Sequence, residues 1–290
     1  MKPLFKFYLQ VNTGKEEAFS VAEETVHYLL GAGAEVTVCR EAAGKMANEK
    51  CGSSDIVPAD ADCIVVIGGD GSILDASEAA LALDIPLIGI NLGHLGYLAE
   101  LSTADIPQLA ALVEGKYTIS RRLTLSLSLL TKEGTIPVPR LALNEVVVSD
   151  EDPFRMIDLL LTDSGNNKIR YRGDGLILAT PSGSTAYSFS AGGPVIHPDI
   201  DAICVTPRNT HSLFNRAVIL PSTSRVEVRC STKQTGRLAV CIDGRRMTTD
   251  TPCVGVAVTR GEKDLQMITL GQHGMINTLR QKMREAELKY

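Results

Sequence analysis

A short glycine-rich segment that follows an apolar run has the residue types best suited to chemistry. Residues 64–67 (Ile-Val-Val-Ile) predict a buried strand, and residues 68–72 (Gly-Gly-Asp-Gly-Ser, the 68–72 loop) follow it directly. Glycines without a Cβ let backbone N–H groups close on an anion, usually a phosphate. A carboxylate in such a loop suits metal binding, or acceptance of a proton from an attacking hydroxyl group. The alternative is a glycine-rich turn in which Asp70 is only a turn former.

A second polar pair, Asn144 and Glu145, interrupts an alternating apolar strand at residues 141–148. A carboxylate can accept hydrogen bonds from both hydroxyl groups of a ribose, and an amide can bridge a hydroxyl group and a base. The alternative is the exposed face of an ordinary strand, which these two residues alone favour.

The densest polar stretch combines residues 173–175 (Gly-Asp-Gly) with residues 180–188 (Thr-Pro-Ser-Gly-Ser-Thr-Ala-Tyr-Ser). Small hydroxyl residues and glycines after a strand can line a pocket for an adenine or a sugar with backbone groups. A long turn is the alternative, but it does not explain why Ser-Thr-Ala-Tyr begins a helix there. Further on, Asp243 and Gly244 indicate a hairpin turn, and Asp243 alone carries no functional signal.

The first 115 or so residues alternate strand and helix signals. Strands are predicted near residues 4–11, 36–39, 64–67 and 86–90, and the first helix is expected to begin at a Thr13-x-x-Glu16 capping box. This alternation predicts a parallel sheet covered by helices, in which ligands bind at the carboxyl ends of the strands. The 68–72 loop and residues 91–100 (the 91–100 loop, with His94) both follow such ends, so we expect them to line one crevice. His94 alone favours neither a chemical role nor its absence.

After Lys116 the pattern changes to a period of two residues. Alternating leucines at residues 123–129 predict an antiparallel strand, and nine more strand signals separated by turns follow. We therefore expect an all-β, sandwich-like second domain. From about Gln272 a final helix carries Met275, Ile276, Leu279 and Met283 on one face, which should pack back on one of the domains.

Composition and charge exclude several classes of function. The chain of 290 residues has a net charge of −5, which argues against general nucleic-acid binding. No apolar run approaches the roughly 18 residues of a membrane span, and the first residues lack a secretory signal. Seven cysteines, an odd number without a Cys-x-x-Cys pair, suit a reducing cytoplasm and give no zinc-site spacing. We expect a cytoplasmic protein that binds neither nucleic acid nor a membrane.

Taken together, these segments resemble the NAD kinase family, whose motifs they follow in order from about residue 64 to residue 244. The match over residues 173–198 is the most specific part, whereas Gly-Gly-Asp-Gly is shared with lipid kinases. Serines stand at 72 and 182 in place of the usual threonine, and Tyr97 in place of phenylalanine. Residues 206–216 diverge more, which leaves the contacts of residues 207–210 and 214–216 undecided.

The resemblance implies a kinase that transfers the γ-phosphate of ATP, or another phosphate donor, to the 2′-hydroxyl of the adenosine ribose of NAD. It implies a Rossmann-like domain at residues 1–116, completed by residues 266–290, and a β-rich NAD-binding domain at residues 117–265. Magnesium or another divalent cation is implied as cofactor without assigned ligands, and a homodimer or homotetramer as the assembly. A lipid kinase and a non-catalytic NAD-sensing module remain the alternatives.

The resemblance also assigns roles to individual residues. Asp70 would be the general base, and the donor phosphates would meet Gly68, Gly69, Gly71 and Ser72. The residues implied to bind NAD are Asn144, Glu145, Asp174, Thr185, Ala186, Tyr187, Ser190 and Asp243. Since the sequence places no Lys or Arg next to the 68–72 loop, backbone amides and a metal ion are expected to neutralise the phosphates. Because phosphate-type loops precede residue 100 and ribose-type residues follow residue 140, both domains are expected to bind ligand.

Overall fold

One eight-stranded sheet organises the first of two units in the computed structural model. The structure describes residues 1–46, 51–93, 96–152, 154–211, 215–231, 237–271 and 275–287. His94, residues 212–214 of the divergent segment and Gln272 lie outside these ranges. The first unit comprises Met1–Arg121 with Leu265–Tyr290, and the second Arg122–Asp264.

The sheet of the first unit is parallel around its centre, as the sequence predicts. The strands, numbered in chain order, are β1 (Lys6–Val11), β2 (Glu35–Cys39), β3 (Gly52–Ser54), β4 (Cys63–Gly68), β5 (Leu87–Asn91), β6 (Leu101–Ser102), β7 (Thr118–Arg122) and β20 (Leu265–Thr269). Their order in the sheet is β3-β2-β1-β4-β5-β20-β7, and β6 pairs with β5. Every residue of β4 is buried, as expected of a central strand covered on both faces.

The helices of this unit lie between its strands along the chain, except the last, which follows β20. They are α1 (Glu17–Gly31), α2 (Arg40–Ala43), α3 (Asp70–Leu83), a 3-10 helix (Thr103–Leu109), α4 (Ala110–Val113) and α6 (Met275–Glu287). The capping box predicted for α1 is wrong, because Glu16 is the N-cap residue and makes no side-chain cap. In α6, Thr278 is buried and Ile276, expected on the packed face, is 68% exposed. Two residues along a helix differ by about 200°, so Ile276 lies nearly opposite the buried Thr278.

The second unit is a sandwich of two six-stranded antiparallel sheets, which confirms the all-β prediction. The strands are β8 (Leu125–Thr131), β9 (Thr135–Ala142), β10 (Glu145–Asp150), β11 (Ile157–Thr162), β12 (Lys168–Gly173), β13 (Gly175–Ala179), β14 (Ala202–Arg208), β15 (Val218–Pro221), β16 (Val226–Cys230), β17 (Leu238–Ile242), β18 (Arg245–Met247) and β19 (Cys253–Arg260). One sheet has the order β15-β14-β13-β10-β17-β18 and the other β12-β11-β16-β19-β8-β9.

Alternating apolar side chains from both sheets fill the core of the sandwich. Leu125 and Leu127 of one sheet lie in the same buried cluster as Val146 and Val148 of the other. A 3-10 helix (Ser182–Thr185) and α5 (Tyr187–Ser190) follow β13. Buried side chains of β13 and β14 form a second, smaller cluster, against which Ala191 packs. Within the described ranges, no helix is long and apolar enough to cross a membrane.

Candidate active site

The 68–72 loop joins the end of β4 to the start of α3. Gly69 is the N-cap residue in an extended conformation, and its carbonyl accepts from the N–H groups of Ser72 (2.9 Å) and Ile73 (3.3 Å). A Cβ at Gly68 would overlap the Ser72 hydroxyl group, so only glycine allows this approach. The first N–H groups of a helix have no partner within it and favour anions. The loop therefore has the backbone geometry of a phosphate site.

The 91–100 loop holds the carboxylate of Asp70 through its backbone. The N–H of Tyr97 donates to Oδ2 at 2.9 Å, and the N–H of Leu98 donates to Oδ1 at 3.2 Å. A Cβ at Gly96 would overlap the same carboxylate. The two loops therefore meet, as expected from their strand ends, and the second loop orients Asp70. Burial and the nearby charge of Asp70 raise the pKa of Tyr97.

Sequence reasoning missed a cation at this edge of the sheet. The ammonium group of Lys15, three residues beyond Asn12 at the end of β1, donates to the carbonyl oxygen of Leu92 at 3.5 Å. Leu92 follows β5, and its own N–H donates to the carbonyl of Gly68 at 3.3 Å. Residues 12–15 match no complete phosphate-binding motif, which is why sequence reasoning assigned Lys15 no role. The parallel strand order β1-β4-β5 is the signal that could have placed Lys15 beside the 68–72 loop.

In the second unit, Asp243 fixes the start of β10. Its Oδ1 accepts from the N–H groups of Asn144 (2.8 Å) and Glu145 (2.9 Å), and its Oδ2 accepts from the N–H of Leu143 (2.8 Å). The N–H of Asp243 in turn donates to the carbonyl of Glu145 at 3.0 Å. Burial raises the pKa of Asp243, and these three N–H groups oppose that rise. Asp243 therefore acts on Asn144 and Glu145 by positioning their backbone.

Glu145 is a buried carboxyl group with an unused acceptor. Its residue is 6% exposed, and within the described part of the chain its Oε2 atom has no hydrogen-bond partner. Burial first, and then the charge of Asp243, raise its pKa from 4.5 to about 7, while a hydrogen bond from the Tyr187 backbone N–H opposes the rise. An unpaired buried acceptor costs free energy, which hydroxyl donors of a ligand would recover.

The polar stretch after β13 packs directly against this pair. The N–H of Thr180 donates to the carbonyl of Asn144 at 2.8 Å, and the Thr180 hydroxyl donates to the carbonyl of Leu143 at 2.6 Å. Further along the stretch, Thr185 and Ala186 are half-buried, and Ser190 is exposed. These contacts form one cluster, which we call the Glu145 cluster. It consists of Asn144, Glu145, Thr180, Asp243 and the backbone of Tyr187.

Asp174 lies at a distance from the Glu145 cluster along the same strand pair. Glu145 pairs with Ala179 and Ser149 with Gly175, so Asp174 adjoins the opposite end of the β10–β13 pair. Four strand steps span roughly 13 Å. The Asp174 carboxylate accepts from the side-chain amide of Asn209 at 2.8 Å.

Tyr187 connects the two ends of this strand pair. Its backbone contacts Glu145, while its ring lies 5.3 Å from the guanidinium carbon of Arg208. Arg208 pairs with Gly175, and its carbonyl accepts from the N–H of Asp174 at 3.0 Å. Arg208 belongs to the divergent segment whose contacts the sequence left undecided, and it now has a defined aromatic partner.

The first unit thus has a helix N-terminus suited to phosphate beside an oriented carboxylate, and the second has a buried carboxyl oxygen without a partner among the described residues. Both features are typical of a phosphotransferase that acts on a hydroxyl group. Models of the ATP-NAD kinase N-terminal and C-terminal domains match residues 7–117 and 143–270. The NAD kinase of Corynebacterium glutamicum is 36% identical over 225 residues, 77% of each chain. That of Symbiobacterium thermophilum is 31% identical over 281 residues, 96% of this chain and 98% of its own.

The chain belongs to the NAD kinase family, and it is a kinase that phosphorylates NAD to NADP. Yeast NADH kinase complexed with NADH superposes with a TM-score of 0.83 at 20% identity, covering 98% of this chain and 88% of that one. An Archaeoglobus fulgidus NAD kinase in complex with ATP gives 0.70 at 24% identity, covering 96% and 98%. These structures share the fold, and the predicted fold class and family are confirmed.

Proposed function

We propose that this chain transfers the γ-phosphate of ATP to the 2′-hydroxyl of the adenosine ribose of NAD. The observation that carries the acceptor assignment is the buried Oε2 of Glu145, which lacks a partner among the described residues. A ribose diol supplies two hydroxyl donors for one carboxylate, and the adjacent Asn144 offers an amide to the same nucleoside. The rest of the NAD site is lined by Asp174, Thr185, Ala186, Tyr187 and Ser190. Asp243 contributes by holding the backbone of Asn144 and Glu145.

The donor phosphates bind the N-terminus of α3 at Gly68, Gly69, Gly71 and Ser72. The N-cap is a glycine with no side-chain cap, and the N–H groups of Asp70 and Gly71 precede Ser72, the first residue that donates within the helix. Phosphate oxygens can accept from these two N–H groups. The match to ATP-NAD kinase domains and the ATP bound to the Archaeoglobus fulgidus relative support ATP as the donor.

Asp70 serves as the general base. A secondary alcohol has a high pKa, so its attack on a phosphoryl group is helped by a positioned carboxylate that takes its proton. The backbone N–H groups of Tyr97 and Leu98 hold the carboxylate in one orientation. Each carboxylate oxygen keeps a lone pair beyond the one these bonds use.

Magnesium fits the donor set as a metal that enters with the triphosphate. No group of three or more His, Cys, Asp or Glu side chains in the described ranges is placed to hold an ion unaided. Mg²⁺ in kinases is usually held by one or two carboxylates together with substrate phosphates and water. Phosphate oxygens and water would supply the ligands, since Asp70 is assigned as the base, and the bound ion would neutralise charge on the transferring phosphate.

The active form is an oligomer in the cytoplasm. Among the described residues, the outer strands are β15 and β18 in one sheet and β9 and β12 in the other. Each has an edge there that pairing with another chain would cover. Ile200 and Ile219 are more than half exposed on the second unit. The seven cysteines are free thiols, which suits a reducing compartment. Sedimentation at micromolar concentration should give two or four times the chain mass of 31.1 kDa, and a monomer would refute the assembly.

NAD affinity should increase with pH through the pKa of Glu145. Near pH 6 this carboxyl group is mostly protonated, and near pH 8 mostly ionised, because its pKa is about 7. Since an ionised acceptor makes the stronger hydrogen bonds to ribose hydroxyls, the dissociation constant for NAD should fall about three- to tenfold over this range. Calorimetric titrations at both pH values measure it, and the matched variant Glu145→Gln should show a flat profile.

The same pKa predicts a pH effect on stability. The pKa of Glu145 is about 7 in the folded protein and 4.5 in its ordinary, exposed state. Between pH 4.5 and about pH 7 the folded protein therefore binds more protons at Glu145 than the unfolded chain does. The free energy of unfolding should therefore fall as pH rises across this window, and less so in Glu145→Gln. Identical pH slopes in the two proteins, for both binding and unfolding, would remove Glu145 from the acceptor site.

The proposed function is tested by incubating the purified chain with NAD, ATP and Mg²⁺. The NADP formed is then measured with a dehydrogenase specific for NADP. We expect NADP to form in proportion to enzyme. Diacylglycerol in place of NAD tests the lipid-kinase alternative, and NAD binding without NADP formation would instead identify a sensing module.

A further inference from the structure

A four-residue turn after β1 places a lysine beside the phosphate-type loop. The side-chain oxygen of Asn12 accepts from the N–H of Gly14 at 3.2 Å, and the carbonyl of Asn12 accepts from the N–H of Lys15 at 3.2 Å. The carbonyl of Lys15 then accepts from Ala18 at 3.1 Å, as α1 begins. The turn is formed by its own hydrogen bonds, so the backbone of Lys15 has a defined position.

The turn is anchored to the strand that leads into the 68–72 loop. The N–H of Asn12 donates to the carbonyl of Ile67, the last residue before Gly68, at 2.9 Å. A Cβ built at Gly68 would lie 3.3 Å from the Cβ of Asn12. The turn therefore lies directly beside the start of the loop, with no room for a side chain at Gly68 between them.

The side chain of Lys15 crosses the carboxyl end of β4. In the sheet, β4 lies between β1 and β5. Lys15 starts from the β1 side, and its ammonium group reaches the carbonyl of Leu92 on the β5 side at 3.5 Å. Strands two apart are separated by about 9.6 Å. The lysine thus spans the strand end from which the 68–72 loop emerges.

The contacts that the ammonium group makes are weak ones. The 3.5 Å bond to Leu92 is long, and the carboxylate of Glu17 lies 3.8 Å away. The side chain of Lys15 is 47% exposed and that of Glu17 60%, so water screens their attraction. An ammonium group has three donors, and a phosphate is a stronger partner than either contact.

We propose that Lys15 binds the polyphosphate chain of the donor, which rests on the proposed function of the 68–72 loop as the donor site. The donor brings several negative charges next to the carboxylate of Asp70, and the opposing charge of Lys15 reduces that repulsion. Lys15 exchanges its contact with Glu17 for phosphate when the donor binds. Backbone amides and a metal ion were expected to neutralise the donor phosphates, and the proposal adds Lys15 to them.

Lys15→Met tests the proposal, because it keeps an unbranched side chain only one atom shorter and removes its charge. Calorimetric titration with ATP and Mg²⁺ should show about tenfold weaker binding or more, and the KM for ATP should rise by a similar factor. The dissociation constant for NAD should stay within about twofold. Lys15→Arg, which keeps the charge, should recover most of the ATP affinity.

Lys116→Met is the matched control. Lys116 is an exposed lysine of the same unit that also pairs with a carboxylate, Glu114, at 2.6 Å. It follows Gly115, whose carbonyl accepts from the N-terminal amine of Met1, so it lies at the amino end of β1, opposite the 68–72 loop. Its substitution should change neither ATP nor NAD binding.

The outcomes separate this proposal from the proposed function. If the unsubstituted chain makes NADP and Lys15→Met binds ATP with unchanged affinity, the assignment of Lys15 is refuted while the function stands. Equal losses of ATP and NAD affinity, or a loss that Lys15→Arg does not recover, would also refute it. Failure of the unsubstituted chain to make NADP would refute the function itself.

Discussion

Asp70→Asn should lower turnover by about 10²–10⁴-fold, the usual size of a lost general base. Asparagine has nearly the same shape but cannot take the proton of the 2′-hydroxyl group. Its amide oxygen can still accept from one of the two N–H groups of Tyr97 and Leu98 that now hold the carboxylate. Steady-state turnover with NAD, ATP and Mg²⁺ measures the loss, and NAD affinity should change little.

Asp75→Asn is the control for this variant. Asp75 is exposed on the same helix α3, five residues beyond Asp70, and the same chemical change there should leave turnover unaltered. A thermal unfolding curve for each variant separates loss of chemistry from loss of structure. If Asp70 were only a turn former, asparagine would serve equally well, and near-normal turnover would remove it from the mechanism.

Glu145→Ala should weaken NAD binding by about 10- to 150-fold. The change removes the charged acceptor of the ribose diol, and hydrogen bonds to charged groups contribute about 1.5–3 kcal/mol. Because burial raises the pKa of Glu145 to about 7, the measurement is best made near pH 8, where the carboxylate is ionised. Calorimetric titration with NAD gives the dissociation constant directly.

The control for this variant lies at the other end of the same stretch of chain. Glu151 follows β10, and its carboxylate is exposed, 3.5 Å from the guanidinium group of Arg246. Glu151→Ala should therefore leave NAD affinity unchanged. An unchanged NAD dissociation constant in folded Glu145→Ala would count against the acceptor site, whatever the unpaired oxygen suggests.

Local sequence signals identified the elements that present the candidate site. The apolar run at β4, followed at once by glycines, predicted a strand, a loop and a helix, because burial and backbone freedom are properties of neighbouring residues. The alternation of leucines at residues 123–129 predicted the sandwich for the same reason. The family resemblance then assigned roles to Asp70 and Glu145, and these roles stay predictions until the variants are measured.

Contacts between distant parts of the chain were beyond local signals. Asp243 meets residues 143–145 from about a hundred positions away, so its hairpin turn gave no sign of the three N–H groups it accepts from. The Lys15 side chain reaches Leu92 only because β1, β4 and β5 are neighbours in the sheet. The capping box predicted at Thr13 was wrong because Asn12 organises that turn instead.

The hydroxyl group that receives the phosphate distinguishes the proposed reaction from every alternative. The purified chain is incubated with NAD, Mg²⁺ and ATP labelled at the γ-phosphate, and the dinucleotide product is isolated and its phosphate located by ³¹P NMR. We expect one labelled product, with the phosphate on the 2′-oxygen of the adenosine ribose. Label on another hydroxyl group, or no label on the dinucleotide while the folded chain still binds NAD and ATP, would contradict the proposed reaction.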